Sequence, residues 1–258
     1  MKMMGKIIAV ILIIYVVLLV FSANRYDVAY GISFNHVHAT DLGLDWREVY
    51  AEMFSDLKPK YIRIAAMWSE VEAEKSVYDF ADVDFMMDTA AEHGAKVVLV
   101  VGQKAPRWPE CHVPSWLDYG AEKSRAHLLS YIDKTIKRYK DHPALEIWQV
   151  ENEPFIHFKF GECEGFDKEA IYEEIALVKK LDPERKIIIT DSGELSTWFT
   201  ASRTGDLFGT TLYRIVQTPG GKTFMYDWLP AGFYRLKSQL MGRGYEDFFV
   251  SELQAEPC

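Results

Sequence analysis

The sequence has little positive charge and very little cysteine. Its 258 residues include 29 lysines and arginines against 38 aspartates and glutamates, which gives a formal net charge of −9. A chain with this balance does not attract a phosphate backbone, so the composition argues against a nucleic-acid partner. A linker-like change of composition and a short internal repeat are also missing. We therefore expect one folded unit after the N-terminal segment.

Only three cysteines are present, at positions 111, 163 and 258. Cys111 and Cys163 each follow a predicted strand, in loops that should be neighbours. A disulfide bond between them fits an exported protein, and two free thiols near a cleft fit equally well. Cys258 is left over at the end of the sequence.

One long apolar run stands at the N-terminus. Ile7–Phe21 is fifteen consecutive apolar or aromatic residues. Such a run makes roughly 22 Å of helix, short of a hydrocarbon core about 30 Å thick. Adding Ser22–Ala23 reaches the lower limit for a membrane span. Residues 1–25 are therefore a secretory signal or an uncleaved signal anchor, and the lack of a clear small-x-small cleavage site favours the anchor. Lys2 and Lys6 predict a cytoplasmic N-terminus and an extracytoplasmic domain.

From residue 26 to residue 258, β-rich runs alternate with amphipathic helical stretches. Seven strands are predicted, at 28–34, 61–66, 96–101, 145–154, 186–190, 207–213 and 247–253. Helices are predicted at about 45–57, 80–93, 122–140, 167–181, 196–202 and 230–241. Because the two kinds of element alternate without a hairpin signal, we expect a parallel α/β sheet. The length suits two small domains or one TIM-type (β/α)8 barrel, which has about 250 residues.

Two glutamates stand at the ends of predicted strands. Glu153 ends the fourth strand, and Glu252 ends the seventh, 99 residues later. The carboxyl ends of barrel strands share one cleft. Paired carboxylates cleave a glycosidic bond when one is kept protonated and the other ionised, with a separation of about 5–5.5 Å for retention and about 6.5–9.5 Å for inversion. Two unrelated surface glutamates would leave the same pattern.

The segment around Glu153 carries a family resemblance. Val150–Pro154, reading Val-Glu-Asn-Glu-Pro, resembles the Asn-Glu-Pro signature of retaining (β/α)8 glycoside hydrolases, the clan of cellulases, mannanases and β-galactosidases. The resemblance implies Glu153 as the acid/base and Glu252 as the nucleophile. It also implies that Asn152 donates a hydrogen bond to the sugar 2-hydroxyl.

Other segments resemble the clan more loosely. Tyr61-Ile62-Arg63 is similar to the second-strand segment of the clan whose arginine keeps the nucleophile ionised. An arginine with a purely structural role in the barrel would fit this segment equally well. The run from Trp68 to Phe80 is similar to a Trp-Ser to Tyr-Asp-Phe run of the clan, with Ser76 where glycine is usual, and we take Trp68 as a sugar-binding residue. Tyr213 matches a tyrosine that hydrogen-bonds the nucleophile.

The resemblance also implies an eighth strand, which the sequence does not supply. Relatives continue past the Glu-Leu-Gln-Ala-Glu-Pro stretch through a closing strand and helix, whereas this sequence ends six residues after Glu252. The first and seventh strands would then expose unpaired edges. A fragment, a frameshifted product and a barrel completed by another chain would each explain this, and we favour a truncated barrel.

Aromatic and histidine residues supply further candidates. Four loop tryptophans fit either sugar stacking or ordinary packing: Trp108, Trp116, Trp198 and Trp228. His36 and His38, at the tip of the first strand, resemble the His-x-His pair of metal-dependent amidohydrolase barrels. The other ligands of that class do not appear after the fifth and sixth strands. We therefore take His36 as a sugar contact and predict no metal.

The leading hypothesis is a retaining β-glycoside hydrolase that acts outside the cytoplasm on a carbohydrate and needs no cofactor. A non-catalytic carbohydrate-binding relic of such a barrel is the alternative from a different class. The sugar, the linkage, endo or exo action and the oligomeric state are left open, because loops that one sequence cannot interpret decide them.

Overall fold

The computed structural model describes residues 2–23, 27–107, 109–117, 122–156, 161, 163, 167–217, 221–226 and 228–253. Its helices are α1 Lys2–Ala23, α2 His36–Asp41, α3 Trp46–Leu57, α4 Trp68–Val71, α5 Ala81–Glu92, α6 Glu122–Tyr139, α7 Lys168–Leu181 and α8 Gly232–Leu240. Short 3-10 turns cover Ala201–Arg203 and Tyr245–Asp247. The strands are β1 Gly31–Ser33, β2 Tyr61–Ala65, β3 Lys96–Val101, β4 Leu145–Val150, β5 Lys186–Asp191, β6 Leu207–Leu212, β7 Ile215–Gln217, β8 Thr223–Met225 and β9 Phe248–Leu253.

Seven of these strands form one parallel sheet. They follow the order β1-β2-β3-β4-β5-β6-β9, so each strand pairs with the next barrel strand along the sequence. The two edges approach each other, because Ser33 on β1 donates a side-chain hydrogen bond to the carbonyl of Ser251 on β9 at 3.3 Å. The sheet is thus a nearly closed barrel. This confirms the predicted α/β barrel with seven strands and an apolar helix before it.

Alternation along each strand divides the core into two parts. Val97, Leu99 and Val101 of β3 belong to the large cluster shared with the helices. Val98 instead packs with residues of β4, β5 and β6 in a small cluster inside the barrel. Strands buried on both faces read as continuous apolar runs, which is why the sequence predicts them. The interior also holds polar side chains, since Arg63 is in register with Val98.

Helix starts follow local capping chemistry. The Asp45 carboxylate accepts hydrogen bonds from the backbone N–H groups of Arg47 and Glu48 at the start of α3. Asp167 accepts one from the N–H of Glu169 at the start of α7. These bonds satisfy amides that a helix leaves unpaired at its first turn. Both helices therefore begin within one residue of the predicted positions.

Three predictions about the elements were wrong. β7 and β8 form an antiparallel hairpin where no hairpin was expected, since three-residue strands give too short a pattern to recognise. The helix expected at 196–202 is a 3-10 turn, Ala201–Arg203. The first strand is only Gly31–Ser33, and Gly31 lies so close to the backbone of Tyr61 that a Cβ would collide with it.

The apolar helix α1 is longer than the predicted apolar run. Its 22 residues make a helix of roughly 33 Å, enough to cross a hydrocarbon core. Met3–Ala23 is the one described helix that is long and apolar enough to span a membrane, and it is almost entirely exposed. The helix contacts the barrel near its C-terminus, where the side chain of Ser22 accepts a hydrogen bond from the N–H of Gly232 at 2.6 Å.

Candidate active site

The backbone at the end of β4 leaves the strand abruptly. Glu151 and Glu153 have positive φ angles of 59° and 45°, which non-glycine residues rarely adopt. Hydrogen bonds hold this conformation. The N–H of Glu153 donates to the side chain of Thr190 at 2.9 Å, and the carboxylate of Glu151 accepts from the N–H of Gln103 at 2.9 Å. Strain that the surroundings enforce in this way is a common property of functional sites.

The carboxyl group of Glu153 is buried, and one of its oxygens has no hydrogen-bond partner among the described residues. Glu153 is 8% exposed, and that oxygen is Oε1. Burial, together with the nearby charge of Glu252, raises the pKa of Glu153 to about 8, against the opposing charge of Lys104. At neutral pH this carboxyl group therefore keeps its proton.

Glu252 near the end of β9 has the opposite environment. Its Oε1 accepts a hydrogen bond from Nη1 of Arg63 at 2.9 Å, and its Oε2 accepts one from the hydroxyl of Tyr213. Burial alone would raise the pKa of Glu252, but the Arg63 charge and these two hydrogen bonds outweigh it and lower that pKa. Glu252 is therefore ionised at neutral pH.

Arg63 connects the two sides of the site. Besides Glu252, its guanidinium donates from Nη2 to Oδ1 of Asn152 at 2.8 Å and from Nε to Oε1 of Gln149 at 2.8 Å. Three fixed donors on one planar cation hold three acceptors in a definite geometry. The structure thus brings together Arg63, Asn152, Glu153, Tyr213 and Glu252.

This arrangement suits acid/base chemistry with a nucleophile. One carboxyl group is kept protonated at neutral pH and has a buried oxygen without a partner among the described residues, and the other is an ionised, hydrogen-bonded carboxylate. Groups whose surroundings push their pKa values in opposite directions are the usual acid and nucleophile of glycosidic cleavage.

Two site residues were missed by sequence reasoning. Glu110 lies 6% exposed, and its Oε2 accepts a hydrogen bond from Nδ2 of Asn152 at 3.3 Å. Lys104 is 2% exposed, and its Nζ donates to the carbonyl of Glu153 at 3.4 Å. Both belong to the loop after β3. A loop residue has no periodic pattern, so only the position of Lys104 just after a strand tip could have marked it.

Trp68 and Trp198 do not line the cleft. The prediction of Trp68 as a sugar-binding residue was wrong, whereas Trp198 has the ordinary packing that was one of the two alternatives left open for it. Trp68 is 1% exposed, stacks on Tyr131 and donates from Nε1 to Glu72 at 2.8 Å. Trp198 is fully buried and packs against Phe208. Large aromatic rings follow apolar strands into the core as readily as they line clefts.

The remaining tryptophans lie elsewhere or are not described. Trp116 is partly buried and donates a hydrogen bond to the carbonyl of Glu72 at 2.7 Å. Trp228 is 64% exposed, and its carbonyl lies 3.5 Å from the hydroxyl of Tyr15 in α1. Trp108 lies outside the described residues.

His36 is not exposed to a ligand either. His36 is the first residue of α2, after the Asn35 cap, and does not end a strand. Its side chain is 4% exposed, and its ring lies against the ring of Trp46. Burial lowers its pKa to about 4, so it is neutral at pH 7. The prediction of a sugar contact therefore conflicts with its position. The described residues contain no group of three potential metal ligands.

A disulfide bond joins the two loops beside the site. Cys111 follows β3 and Cys163 follows β4, and their Cα atoms are 5.1 Å apart across the bond. Of the two possibilities left by the sequence, the structure has the disulfide. It lies one residue from Glu110.

Sequence comparisons point to glycosidases. The glycoside hydrolase 42 family model, described as beta-galactosidase, matches residues 44–170. Beta-galactosidase LacZ of Heyndrickxia coagulans is 29% identical over 39% of this chain and 18% of its own length. Mannan endo-1,4-beta-mannosidase F of Aspergillus clavatus is 25% identical over 43% of this chain and 26% of its own length. The family match includes Glu153 but does not reach Glu252.

Solved structures share the fold at low identity. A glycoside hydrolase of subfamily GH5_18 from Bifidobacterium longum has a TM-score of 0.56 and 16% identity, covering 73% of this chain and 51% of its own. A beta-galactosidase from Rahnella sp. R3 has a TM-score of 0.54 and 14% identity, covering 75% and 40%. The chain thus spans about half or less of the length of these proteins.

Proposed function

We propose that this chain, which is homologous to (β/α)8-barrel glycoside hydrolases, hydrolyses O-glycosidic bonds of β-linked sugars with retention of configuration. Glu153 is the acid/base and Glu252 the nucleophile. The observation that carries the proposal is the contrast between the two groups. Arg63 and Tyr213 hold Glu252 as a carboxylate, while Oε1 of Glu153 is buried without a partner among the described residues.

In the first step the Glu252 carboxylate attacks the anomeric carbon. The bond to the leaving oxygen breaks, and that oxygen takes the proton of Glu153. In the second step Glu153, now ionised, takes a proton from water, and the resulting oxygen nucleophile displaces Glu252 from the sugar. The first step leaves Glu252 bonded to the sugar and Glu153 ionised, and the second step restores the Glu252 carboxylate and the proton of Glu153.

Asn152 supports this chemistry by binding the sugar. A side-chain amide nitrogen has two N–H groups. One donates to Glu110 at 3.3 Å, and the second is left to donate to the 2-hydroxyl of the sugar. The amide oxygen already accepts a bond from Arg63, which fixes the orientation of the amide.

The names of the relatives select the first substrates to try. Aryl β-galactosides and β-mannosides are the small-molecule candidates, and β-1,4-mannan is the polymeric one. Because each matched relative is much longer than the matched segment, the sugar specificity is a proposal for this chain.

Azide rescue with an activated aryl β-glycoside tests the mechanism. E252A should recover turnover in azide and release an α-glycosyl azide, whereas E153A should release the β-azide through the surviving nucleophile. E146A is the matched control, since Glu146 is an exposed residue of the same strand. Absence of an azide product from E252A, with an active wild type, would contradict the mechanism. Sugar binding without any wild-type turnover would favour the carbohydrate-binding alternative.

We further propose that residues 1–25 anchor residues 26–258 outside the cytoplasm. Helix α1 has the length of a membrane span, and the Cys111–Cys163 disulfide fits an oxidising compartment. Membrane fractions should contain a chain that still carries its N-terminal epitope tag, and external protease should digest the barrel in intact cells. A soluble product without the tag would contradict the anchor.

A further inference from the structure

Glu110 is a third buried carboxylate beside the proposed catalytic pair. It is 6% exposed, and burial raises its pKa in spite of the nearby charge of Lys104. The proposed reaction assigns no proton or bond to it. Burying a carboxyl group costs free energy, so the fold has to hold this one in place.

The loop that carries Glu110 folds back on itself. Lys104 and Cys111 form an antiparallel bridge, and the N–H of Ala105 donates to the carbonyl of Glu110 at 2.9 Å. The N–H of Glu110 donates to the carbonyl of Arg107 at 2.8 Å. Glu110 itself has a positive φ of 71°. A non-glycine residue keeps such a conformation only when its surroundings enforce it.

The loop after β4 supplies that constraint. Cys163 is bonded to Cys111, directly after Glu110. Gly161, with φ of 66°, packs so closely that a Cβ there would collide with Pro109 and contact Glu110. The disulfide bond and the close packing of Gly161 together hold the loop after β4 against the loop after β3.

We propose that Glu110 is a positioning residue that orients the Asn152 amide, and that the Cys111–Cys163 disulfide keeps it in place, so that reduction of this bond weakens activity. This inference rests on the proposed function. Glu110 accepts one N–H of Asn152 while Arg63 occupies the amide oxygen, which leaves the second N–H in a fixed direction. A dithiol would reduce the bond by giving two electrons and two protons to form two thiols, and would itself become a disulfide.

Two variants of Glu110 separate orientation from simple stability. E110A removes the acceptor and should lower kcat/KM by roughly 10- to 100-fold, the value of a hydrogen bond to a charged group. E110Q keeps an acceptor oxygen and should recover most of that loss. It also removes a negative charge near Glu153, so the basic limb of the kcat/KM profile should move to lower pH.

Glu72 supplies the matched control. It is fully buried and hydrogen-bonded to Trp68 away from the cleft. E72Q should lower the melting temperature without moving the pH profile. A wild-type kcat/KM and an unmoved profile in E110A and E110Q would overturn the proposal.

The role of the disulfide is tested in the full-length protein in detergent. The protein carries C258S, so that Cys111 and Cys163 are the only cysteines that a reductant can affect. Adding C111S and C163S should lower kcat/KM by about the same factor as E110A. The protein that carries C111S, C163S and E110A together should have a kcat/KM close to that of E110A, since all three changes act on the orientation of Asn152. Dithiothreitol should reproduce the effect in C258S protein. If the loss of kcat/KM in the combined variant equals the product of the two separate losses, the disulfide and Glu110 act independently and the proposal is overturned.

One readout does not need turnover. The pKa of Glu153, measured by carbon-13 titration of its carboxyl group, should fall in E110Q and in the reduced protein. If the wild type cleaves no glycoside, the proposed function fails, while this titration still decides whether Glu110 and its disulfide act on Glu153.

Discussion

Arg63 donates from Nη1 to Oε1 of Glu252 at 2.9 Å while its side chain is only 7% exposed. The same guanidinium donates to Asn152. The proposed nucleophile and the neighbour of the proposed acid/base are therefore held by one rigid cation. A buried pair of this kind is sensitive to loss of either partner, because the remaining charge is left without compensation.

R63K should lower kcat/KM by roughly 10- to 100-fold, because lysine keeps the charge but cannot hold three acceptors in a planar fork. Steady-state kinetics on an aryl glycoside measures the change. R138K is the control, since Arg138 makes an exposed bidentate pair with Asp84 outside the cleft. Equal kinetics for R63K and wild type would show that only the charge of Arg63 matters.

Y213F should move the acidic limb of kcat/KM to higher pH. Tyr213 donates a hydrogen bond to the Glu252 carboxylate and so stabilises its charged form. Without it the pKa of Glu252 rises, and a higher pH is needed to ionise the nucleophile. Y50F, which removes a buried hydrogen bond to the carbonyl of Met86 instead, should leave that limb unchanged. An unmoved limb in Y213F, read from the pH profile, would argue against the contact.

Much of this site could be predicted from the sequence, because strand ends are where a parallel barrel presents side chains. Glu153 and Glu252 each stand at the end of an apolar run that predicts a strand, and the topology then brings the two ends to one cleft. Arg63 and Tyr213 follow from the resemblance, and both contact Glu252.

Loop residues and aromatic exposure could not be predicted. Glu110 reaches Asn152 because its loop turns back on itself, and that turn has no local pattern in the sequence. The Cys111–Cys163 pairing was one of two possibilities that the sequence left open, and nothing in the sequence linked it to Glu110. Trp68 and Trp198 are core residues because of how helices and loops pack around the barrel. Long-range packing decides which face of a tryptophan is covered, and sequence spacing does not report it.

E153Q should be more stable than wild type, by a margin that grows with pH. The pKa of Glu153 is raised from its ordinary 4.5 to about 8 in the folded protein. The protonated form thus stabilises the fold fully below pH 4.5, and that contribution is lost as the pH rises through about 8. Glutamine does not ionise, so the difference at pH 8 should be on the order of a few kcal/mol.

Melting temperatures of E153Q and wild type at pH 5 and pH 8 measure this effect. E146Q provides the comparison, because Glu146 is exposed on the same strand and its substitution should change neither value by much. A difference between E153Q and wild type that stays constant with pH would mean that Glu153 has no raised pKa in the folded state.

G232A should detach α1 from the barrel. A Cβ at Gly232 would collide with the carbonyl oxygen of Leu18 and crowd the side chain of Ser22, which accepts the N–H of Gly232 at 2.6 Å. Trypsin should then cleave after Arg25 faster in G232A than in wild type, in detergent micelles and at equal melting temperature. G244A is the matched control, because a Cβ at Gly244 meets nothing within 4 Å. Because cleavage between α1 and the barrel depends on how tightly the helix is held, equal rates for G232A and G244A would mean that α1 does not dock on α8.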